Sequence, residues 1–127
     1  MREIKFKAWN KKEEKMLNRF EITQDGCIGY TDMFQTYHPL PEAVLIQYTG
    51  LKDKNKKEIY EGDIVEYFED EILLVKWIQD ECKFYCVSPY GLKNNMTVGV
   101  YLSKISIKDM IVIGNIYENP ELLKIND

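Results

Sequence analysis

The chain has 127 residues, of which 45% are hydrophobic, 13% aromatic and 30% charged. This composition is neither that of a disordered protein nor that of a fibrous one, and the length predicts a single domain over residues 1–127. The formal net charge of −4 argues against a protein that coats nucleic acid with its whole surface, because such binding depends on cationic neutralisation of phosphates.

No apolar run approaches the ~20 residues of a membrane-spanning helix. The first residues alternate charged and apolar side chains and do not read as a signal peptide. We therefore expect a cytoplasmic protein that does not cross a membrane. Cys27, Cys82 and Cys86 are an odd number of cysteines without framework spacing, which predicts reduced thiols in core or strand positions.

Charge is distributed unevenly along the chain. Basic side chains are concentrated in the first twenty residues. Between residues 61 and 81 there are eight acidic residues and one basic residue, Lys76. This asymmetry permits head-to-tail self-association or a basic partner, although solvated surfaces of mixed charge are the more common explanation. The basic side chains near Trp9 and Phe20 are candidate nucleic-acid-binding residues of a small barrel. They are Lys5, Lys7, Lys11, Lys12, Lys15 and Arg19.

The first third of the chain predicts a β meander. Ile4, Phe6 and Ala8 alternate with lysines, which is the period of a half-buried strand. Further strands are predicted at 16–22 and 27–30, separated by turns. Residues 32–42 lack a clean period and contain His38 and two prolines, so they are predicted to be a connector.

From residue 44 onward, short β-rich runs alternate with polar turns. Strands are predicted at 44–48, 64–68, 72–78, 82–87, 98–105 and 110–117, with a hairpin turn at 53–56. A loop is expected at 88–95. This spacing, without a helical period, favours a small closed or nearly closed barrel. Asn119-Pro120-Glu121 resembles a helix N-cap, first-turn proline and acidic first turn, which predicts one or two helical turns.

Three segments of the sequence resemble a known family. They read REIKFKAW at 2–9, QYTGLKDKNKKEIYEGDIV at 47–65 and VIGNIYENPELL at 112–123. In this order they resemble the YopX family of phage and prophage proteins. The resemblance implies an all-β fold with a small SH3-like barrel, a phage or prophage gene and a bacterial host cytoplasm, but no activity and no catalytic residues.

Combined with the strand pattern, this resemblance predicts an SH3-like barrel over 44–127 with a short C-terminal helical turn, preceded by an N-terminal β meander and connector over 1–43. The family's turn usually has glycine after the asparagine, whereas Lys56 follows Asn55 here. Lysine disfavours the positive φ of a tight type I′ turn.

Aromatic and acidic side chains near the matching segments are candidate partner-binding residues. They are Trp9, Tyr48, Tyr60, Asp63 and Trp77. Core packing is the more common role for aromatic residues in a small barrel, and Asp63 could bridge backbone amides at a turn. Both interpretations stay open at the level of sequence.

The sequence offers little catalytic chemistry. His38 is its one histidine. Cys82 and Cys86, four residues apart on an extended strand, would lie about 13 Å from each other, too far to share a metal ion. Glu61 and Asp63 form a carboxylate pair, but exposed charges at a turn explain them without acid–base chemistry. We therefore expect no enzymatic activity, no metal site and no cofactor.

These observations predict a phage or prophage accessory protein that acts as a non-catalytic protein-interaction module. Its expected partner is another protein or a second copy of itself in a homo-oligomer, bound through strand edges or through the aromatic and acidic surfaces. The alternative is a nucleic-acid-binding small barrel that uses the basic N-terminal segment, which the net negative charge disfavours.

Overall fold

β-Strands make up most of the regular structure in residues 3–124, the part of the chain that the computed structural model describes. The predicted all-β fold is confirmed. The chain separates into two compact units. We call residues 5–47 the N-terminal unit, and residues 3–4 with 48–124 the barrel unit. No helix within the described residues has the length and hydrophobicity of a membrane-spanning segment.

The N-terminal unit consists of short antiparallel strands in two sheets, and the predicted meander is present only in part. Its strands are β1 (Phe6–Asn10), β2 (Lys15–Met16), β3 (Glu21–Ile22), β4 (Ile28–Thr31), β5 (Tyr37–Pro39) and the first half of β6 (Ala43–Lys52). Strand β1 pairs with β2 and with residues 43–47 of β6, whereas β4 pairs with both β3 and β5. Ala8, Trp9, Ile28 and Ile46 are buried.

Two predictions for this unit were wrong. The strand expected over 16–22 is two strands, because after Met16 the chain bends at Asn18, a residue type that favours turns. The expected connector over 32–42 contains β5, which pairs with β4. Because β5 is an edge strand of its three-stranded sheet, Pro39 can occupy it despite lacking an N–H.

The barrel unit contains the second half of β6 and the remaining strands. These are β7 (Glu58–Tyr60), β8 (Asp63–Tyr67), β9 (Glu71–Ile78), β10 (Lys83–Val87), β11 (Gly99–Tyr101) and β12 (Met110–Asn115). Residues 48–52 of β6 pair with β7. The larger sheet has the order β11-β10-β9-β8-β12, in which the last strand returns to pair with β8. This order, with a 3-10 turn at Ser106–Asp109 before the last strand, is that of an SH3-like barrel.

Alternate residues of these strands form the core of the barrel unit. The core cluster consists of Ile59, Val65, Leu73, Val75, Cys86, Met110 and Val112. Burial raises the pKa of the Cys86 thiol to about 12, so this cysteine is an inert core residue. The expectation of core or strand positions was wrong for Cys27 and Cys82, which are exposed residues immediately before β4 and β10.

The segment after β10 differs from the sequence-based expectation. A short helix, α1 (Pro89–Lys93), replaces the predicted loop. Its N-cap is Ser88, whose Oγ accepts a hydrogen bond from the Gly91 N–H at 3.1 Å. The strand predicted over 98–105 is limited to β11, because the chain then enters the turn in which Ser106 Oγ accepts from the Ser103 N–H.

The predicted helical turn near the C-terminus is present as a 3-10 helix over Pro120–Leu123. Asn119 occupies the N-cap position but does not cap the turn with its side chain. Its Oδ1 instead accepts a hydrogen bond from the Asn115 N–H at 3.2 Å, which ties the turn to the end of β12. Leu123 is buried in a cluster with Ile64 and Leu74.

Candidate protein-interaction surface

The loop between β4 and β5 carries the two most exposed large hydrophobic side chains of the described residues. We call Asp32–Thr36 the hairpin tip. Met33 is 85% exposed and Phe34 is 80% exposed. Single exposed apolar residues are common on proteins, whereas contiguous large ones mark interaction surfaces.

Hydrogen bonds from Asp32 fix the backbone of the hairpin tip. The Asp32 N–H donates to the Thr36 carbonyl at 2.9 Å, and the Gln35 N–H donates to the Asp32 carbonyl at 3.1 Å. Asp32 Oδ1 accepts from the N–H groups of Phe34 at 2.8 Å and Thr36 at 3.0 Å. The side chains of Met33 and Phe34 project into solvent from this ordered backbone.

The second carboxylate oxygen of Asp32 ties the tip to β5. Asp32 Oδ2 lies 2.8 Å from His38 Nε2, and the His38 ring stacks on Tyr30 with centroids 4.8 Å apart. The hydrogen bond to His38, followed by that from the Thr36 N–H, lowers the pKa of the Asp32 carboxyl. His38, expected in a connector, is therefore part of the hairpin.

A cleft of about 580 Å³ lies within the N-terminal unit at the other end of β5. We call it the proline cleft. It is lined by Asn10, Lys11, Lys12, Pro39, Leu40, Pro41 and Glu42. The Lys11 N–H donates to the Glu42 carbonyl at 3.2 Å, and the Leu40 N–H donates to the Ile28 carbonyl at 2.8 Å, which fixes the backbone on both sides. The site therefore combines an apolar wall with two cationic side chains.

The backbone arrangement of the hairpin tip recurs between β6 and β7, in a loop that we call the Asp53 loop (Asp53–Lys57). The Asp53 N–H donates to the Lys57 carbonyl and the Lys56 N–H to the Asp53 carbonyl, as at the tip. Asp53 Oδ1 accepts from the N–H groups of Asn55 at 2.8 Å and Lys57 at 2.9 Å. Its Oδ2 accepts from the buried Val112 N–H at 2.9 Å. This loop exposes polar residues, Lys54 and Asn55.

A third loop, between β3 and β4, has three of these four hydrogen bonds, with threonine as the first residue. The Thr23 N–H donates to the Cys27 carbonyl, the Gly26 N–H donates to the Thr23 carbonyl, and Thr23 Oγ1 accepts from the Cys27 N–H. Positive φ falls at the fourth position in all three loops, at Gly26 (85°), Gln35 (67°) and Lys56 (66°). The hairpin tip is thus an ordinary loop of this chain with unusual side chains.

The five candidate partner-binding residues occupy different environments. Trp9, Tyr48, Tyr60 and Asp63 are buried. Asp63 Oδ2 accepts the Tyr60 N–H at 2.8 Å, which confirms that this carboxylate bridges a backbone amide at a turn. Trp77 is 36% exposed, with its ring 5.0 Å from that of Phe84. Because a buried side chain offers a partner no contact area, Trp77 alone of the five contributes to the surface.

The six candidate nucleic-acid-binding residues are all exposed in the N-terminal unit. They are Lys5, Lys7, Lys11, Lys12, Lys15 and Arg19. Lys15 Nζ lies 3.0 Å from Glu13 Oε2, which reduces the local excess of positive charge. Lys11 and Lys12 line the proline cleft, which the sequence did not foresee.

The carboxylate pair lies beside a tyrosine. Burial raises the pKa of Tyr117, and the negative charges of Glu61 and Asp63 raise it further. The Asp63 carboxylate is buried and accepts the Tyr60 N–H, so it stabilises the turn between β7 and β8. Residues 3–124 contain no cluster of three or more histidine, cysteine or acidic side chains arranged to hold a metal ion.

Comparison of the sequence with models of known protein families tests the resemblance of the three segments. The model described as YopX protein matches residues 5–124. The chain belongs to the YopX family. This confirms the resemblance drawn from three short segments and extends it across the whole described core, including the region between 66 and 109.

Two solved structures resemble this YopX chain. Protein EF1440 from Enterococcus faecalis is 25% identical, with a TM-score of 0.67 over 98% of this chain and 100% of that chain. Protein yopX from Bacillus subtilis is 18% identical, with a TM-score of 0.54 over 100% of both chains. No curated protein matches the sequence. The second similarity, at this identity, concerns the fold.

Sequence reasoning about this YopX chain missed Met33 and Phe34. They lie in the segment without a period, where apolar residues indicate neither strand nor helix. A signal was nevertheless present, since Asp32 stands before four loop residues just as Asp53 does in the turn that was predicted. In both loops the aspartate accepts a hydrogen bond from its own backbone two residues on, and the two residues that follow it are exposed.

Proposed function

We propose that this YopX-family chain is a non-catalytic protein-interaction module and that the hairpin tip is its binding element. The observation that carries the proposal is the exposure of Met33 and Phe34 on a loop whose backbone is fixed by Asp32. Phenylalanine and methionine are enriched at protein interfaces. A backbone that is already ordered lowers the entropy cost of binding.

The family supports a setting for this interaction. We infer a phage or prophage accessory protein that works in a bacterial cytoplasm, where the partner is another protein or a second copy of the chain. The non-catalytic assignment is supported by Asp63, one of the two paired carboxylates, which is buried and bonded to a backbone amide.

Affinity capture of the tagged full-length chain from a host that carries the phage tests the proposal. We expect a stoichiometric protein to remain bound after nuclease treatment. The double variant Met33→Ser/Phe34→Ser should lose it, because the anchor side chains are gone. Since both side chains are mostly exposed, this variant should unfold at the same urea concentration as the unchanged chain.

Ile105→Ser provides a matched control, because Ile105 is 77% exposed and lies in the barrel unit. It should leave the captured protein unchanged. If the tip variant retains the same partner at the same stoichiometry, the hairpin tip is not the binding element.

Nucleic-acid binding is the second candidate function, favoured by six exposed basic side chains in one unit. Such binding depends on phosphate contacts, so affinity for DNA or RNA should fall steeply with salt. The triple variant Lys11→Glu/Lys12→Glu/Lys15→Glu should weaken it further. Affinity that ignores both changes, measured by fluorescence anisotropy with labelled oligonucleotides, would remove this candidate.

A further inference from the structure

We propose that the proline cleft receives the hairpin tip of a second copy of this chain, so that N-terminal units associate head to tail. This inference rests on the proposed function of the tip and identifies its partner. The occupant is Met33 with Phe34, and the receiving wall is Pro39, Leu40 and Pro41.

Within one chain the tip cannot occupy its own cleft. Three paired positions join β4 to β5, from Gly29 opposite Pro39 to Thr31 opposite Tyr37. The tip begins where this pairing ends, about 7 Å along the strand from Pro39, and continues away from it. Binding of tip to cleft therefore requires two molecules.

The cleft has a suitable size and polarity for this occupant. Its volume of about 580 Å³ lies in the range of pockets that hold drug-sized ligands. Because such ligands are larger than two side chains, the cleft has room for Met33 and Phe34. Its proline and leucine side chains offer apolar contacts, and Leu40 is already half-buried. Insertion would remove both exposed apolar side chains from water without ordering a new backbone segment.

The charges near the tip and around the cleft also favour binding of the tip to the cleft. Residues 20–38, which include the tip, contain Glu21, Asp25 and Asp32 but no lysine or arginine. The cleft carries Lys11 and Lys12 against the single carboxylate of Glu42, a surplus of one positive charge. Opposite charges around an apolar anchor steer association and select one orientation.

A tip-to-cleft contact joins two different surfaces, so each added copy presents another tip and another cleft. Such heterologous contacts generate rings where the rotation closes and filaments where it does not. The association should strengthen with protein concentration and weaken with salt, because part of it is electrostatic.

Complementation between two variants of the full chain tests the inference. The tip variant is Met33→Ser/Phe34→Ser, and the cleft variant is Lys12→Glu/Pro41→Glu, which alters exposed side chains of the cleft. By sedimentation velocity, the unchanged chain should form oligomers that grow with concentration. Each variant alone should be monomeric, whereas an equimolar mixture should form heterodimers and nothing larger, because each pair retains one intact contact.

Oligomers of the unchanged chain that survive in either variant would overturn the inference, as would a monomeric unchanged chain or a mixture that fails to dimerise. The Ile105→Ser control should assemble like the unchanged chain. Capture separates the two proposals. If the unchanged chain is monomeric but captures another protein that the tip variant loses, self-association is overturned and the proposed function of the tip stands. If the unchanged chain is monomeric and the tip variant keeps the captured protein, both proposals are overturned.

Discussion

The hairpin tip and the Asp53 loop share one backbone arrangement and differ in what they do with it. In both, an aspartate fixes its own loop through one carboxylate oxygen, and a residue other than glycine adopts positive φ at the fourth position. The tip then exposes Met33 and Phe34, whereas the other loop exposes Lys54 and Asn55. Once the backbone is fixed in this way, the side chains at the second and third positions of the loop are not needed to stabilise it and can contact a partner.

The second carboxylate oxygen marks the other difference. In the Asp53 loop it accepts a buried amide of β12, that of Val112. At the tip it contacts the ring of His38, in the next strand of the same hairpin. The first loop is therefore part of the barrel unit's framework, whereas the second belongs to a hairpin of the N-terminal unit, and its loss should leave that framework intact.

The largest expected effect is the removal of the framework aspartate. Asp53→Ala deletes three charge-assisted hydrogen bonds and leaves the buried Val112 N–H without this acceptor. We expect a loss of about 3 kcal/mol in the free energy of unfolding. Urea unfolding monitored by circular dichroism provides the measurement. Asp32→Ala serves as the comparison and should cost clearly less, and equal losses in the two variants would contradict the distinction between the loops.

A smaller effect is expected at the fourth position of each loop. Lys56 and Gln35 adopt φ of 66° and 67°, a region in which a Cβ is unfavourable. Lys56→Gly and Gln35→Gly should each stabilise the chain by roughly 0.5–1 kcal/mol, the relief of strain exceeding the added flexibility of the unfolded chain.

Thermal unfolding of the two glycine variants beside Gly26→Ala checks this prediction. Gly26 has φ of 85°, and the space that an added methyl group would occupy is open, so alanine there should destabilise by backbone strain alone. Glycine variants that lower the melting temperature would show that these positions are not strained.

The smallest expected effect is a loss of stability of the hairpin tip at acidic pH. Because His38 and the Thr36 amide lower the pKa of folded Asp32 below that of the unfolded chain, the carboxylate stabilises the tip above the unfolded pKa. This contribution disappears as the pH falls through the lowered value. The amide shifts of Phe34 and Thr36, followed by NMR, should report the titration.

Replacing His38 by alanine should move that titration upward, toward the ordinary pKa of an aspartate, since the largest cause of the shift is removed. An unchanged midpoint in His38→Ala would assign the shift to the backbone amides instead.

Local sequence signals predicted much of this fold and little of its surface. The turn at Asp53 and the proline-led turn at Pro120 follow from residue types that act on their own backbone. The substitution of glycine by Lys56 was expected to disfavour positive φ, yet Lys56 adopts it, held by the bonds that the Lys56 and Lys57 N–H groups donate to Asp53. Local propensity was overruled by a neighbouring side chain.

What the sequence could not show depends on pairing between distant segments. Burial of Trp9 and Tyr48 follows from the partners of β1 and β6, which no short window contains. The strand at His38 exists because Tyr30 lies opposite it, eight residues earlier in the chain. For the same reason, Met33 and Phe34 became recognisable as the end of a hairpin once β4 and β5 were seen to pair.

The hydrogen bond between Asp53 and Val112 also has a kinetic meaning. It joins residues 59 positions apart, so the chain between them must be brought together before the bond can form. The pairing of β12 with β8 imposes a similar requirement. Barrels built on such distant contacts fold more slowly than proteins with local contacts. We therefore expect the last strand to dock late, and the newly made chain to pass through a period in which β8 has an open edge.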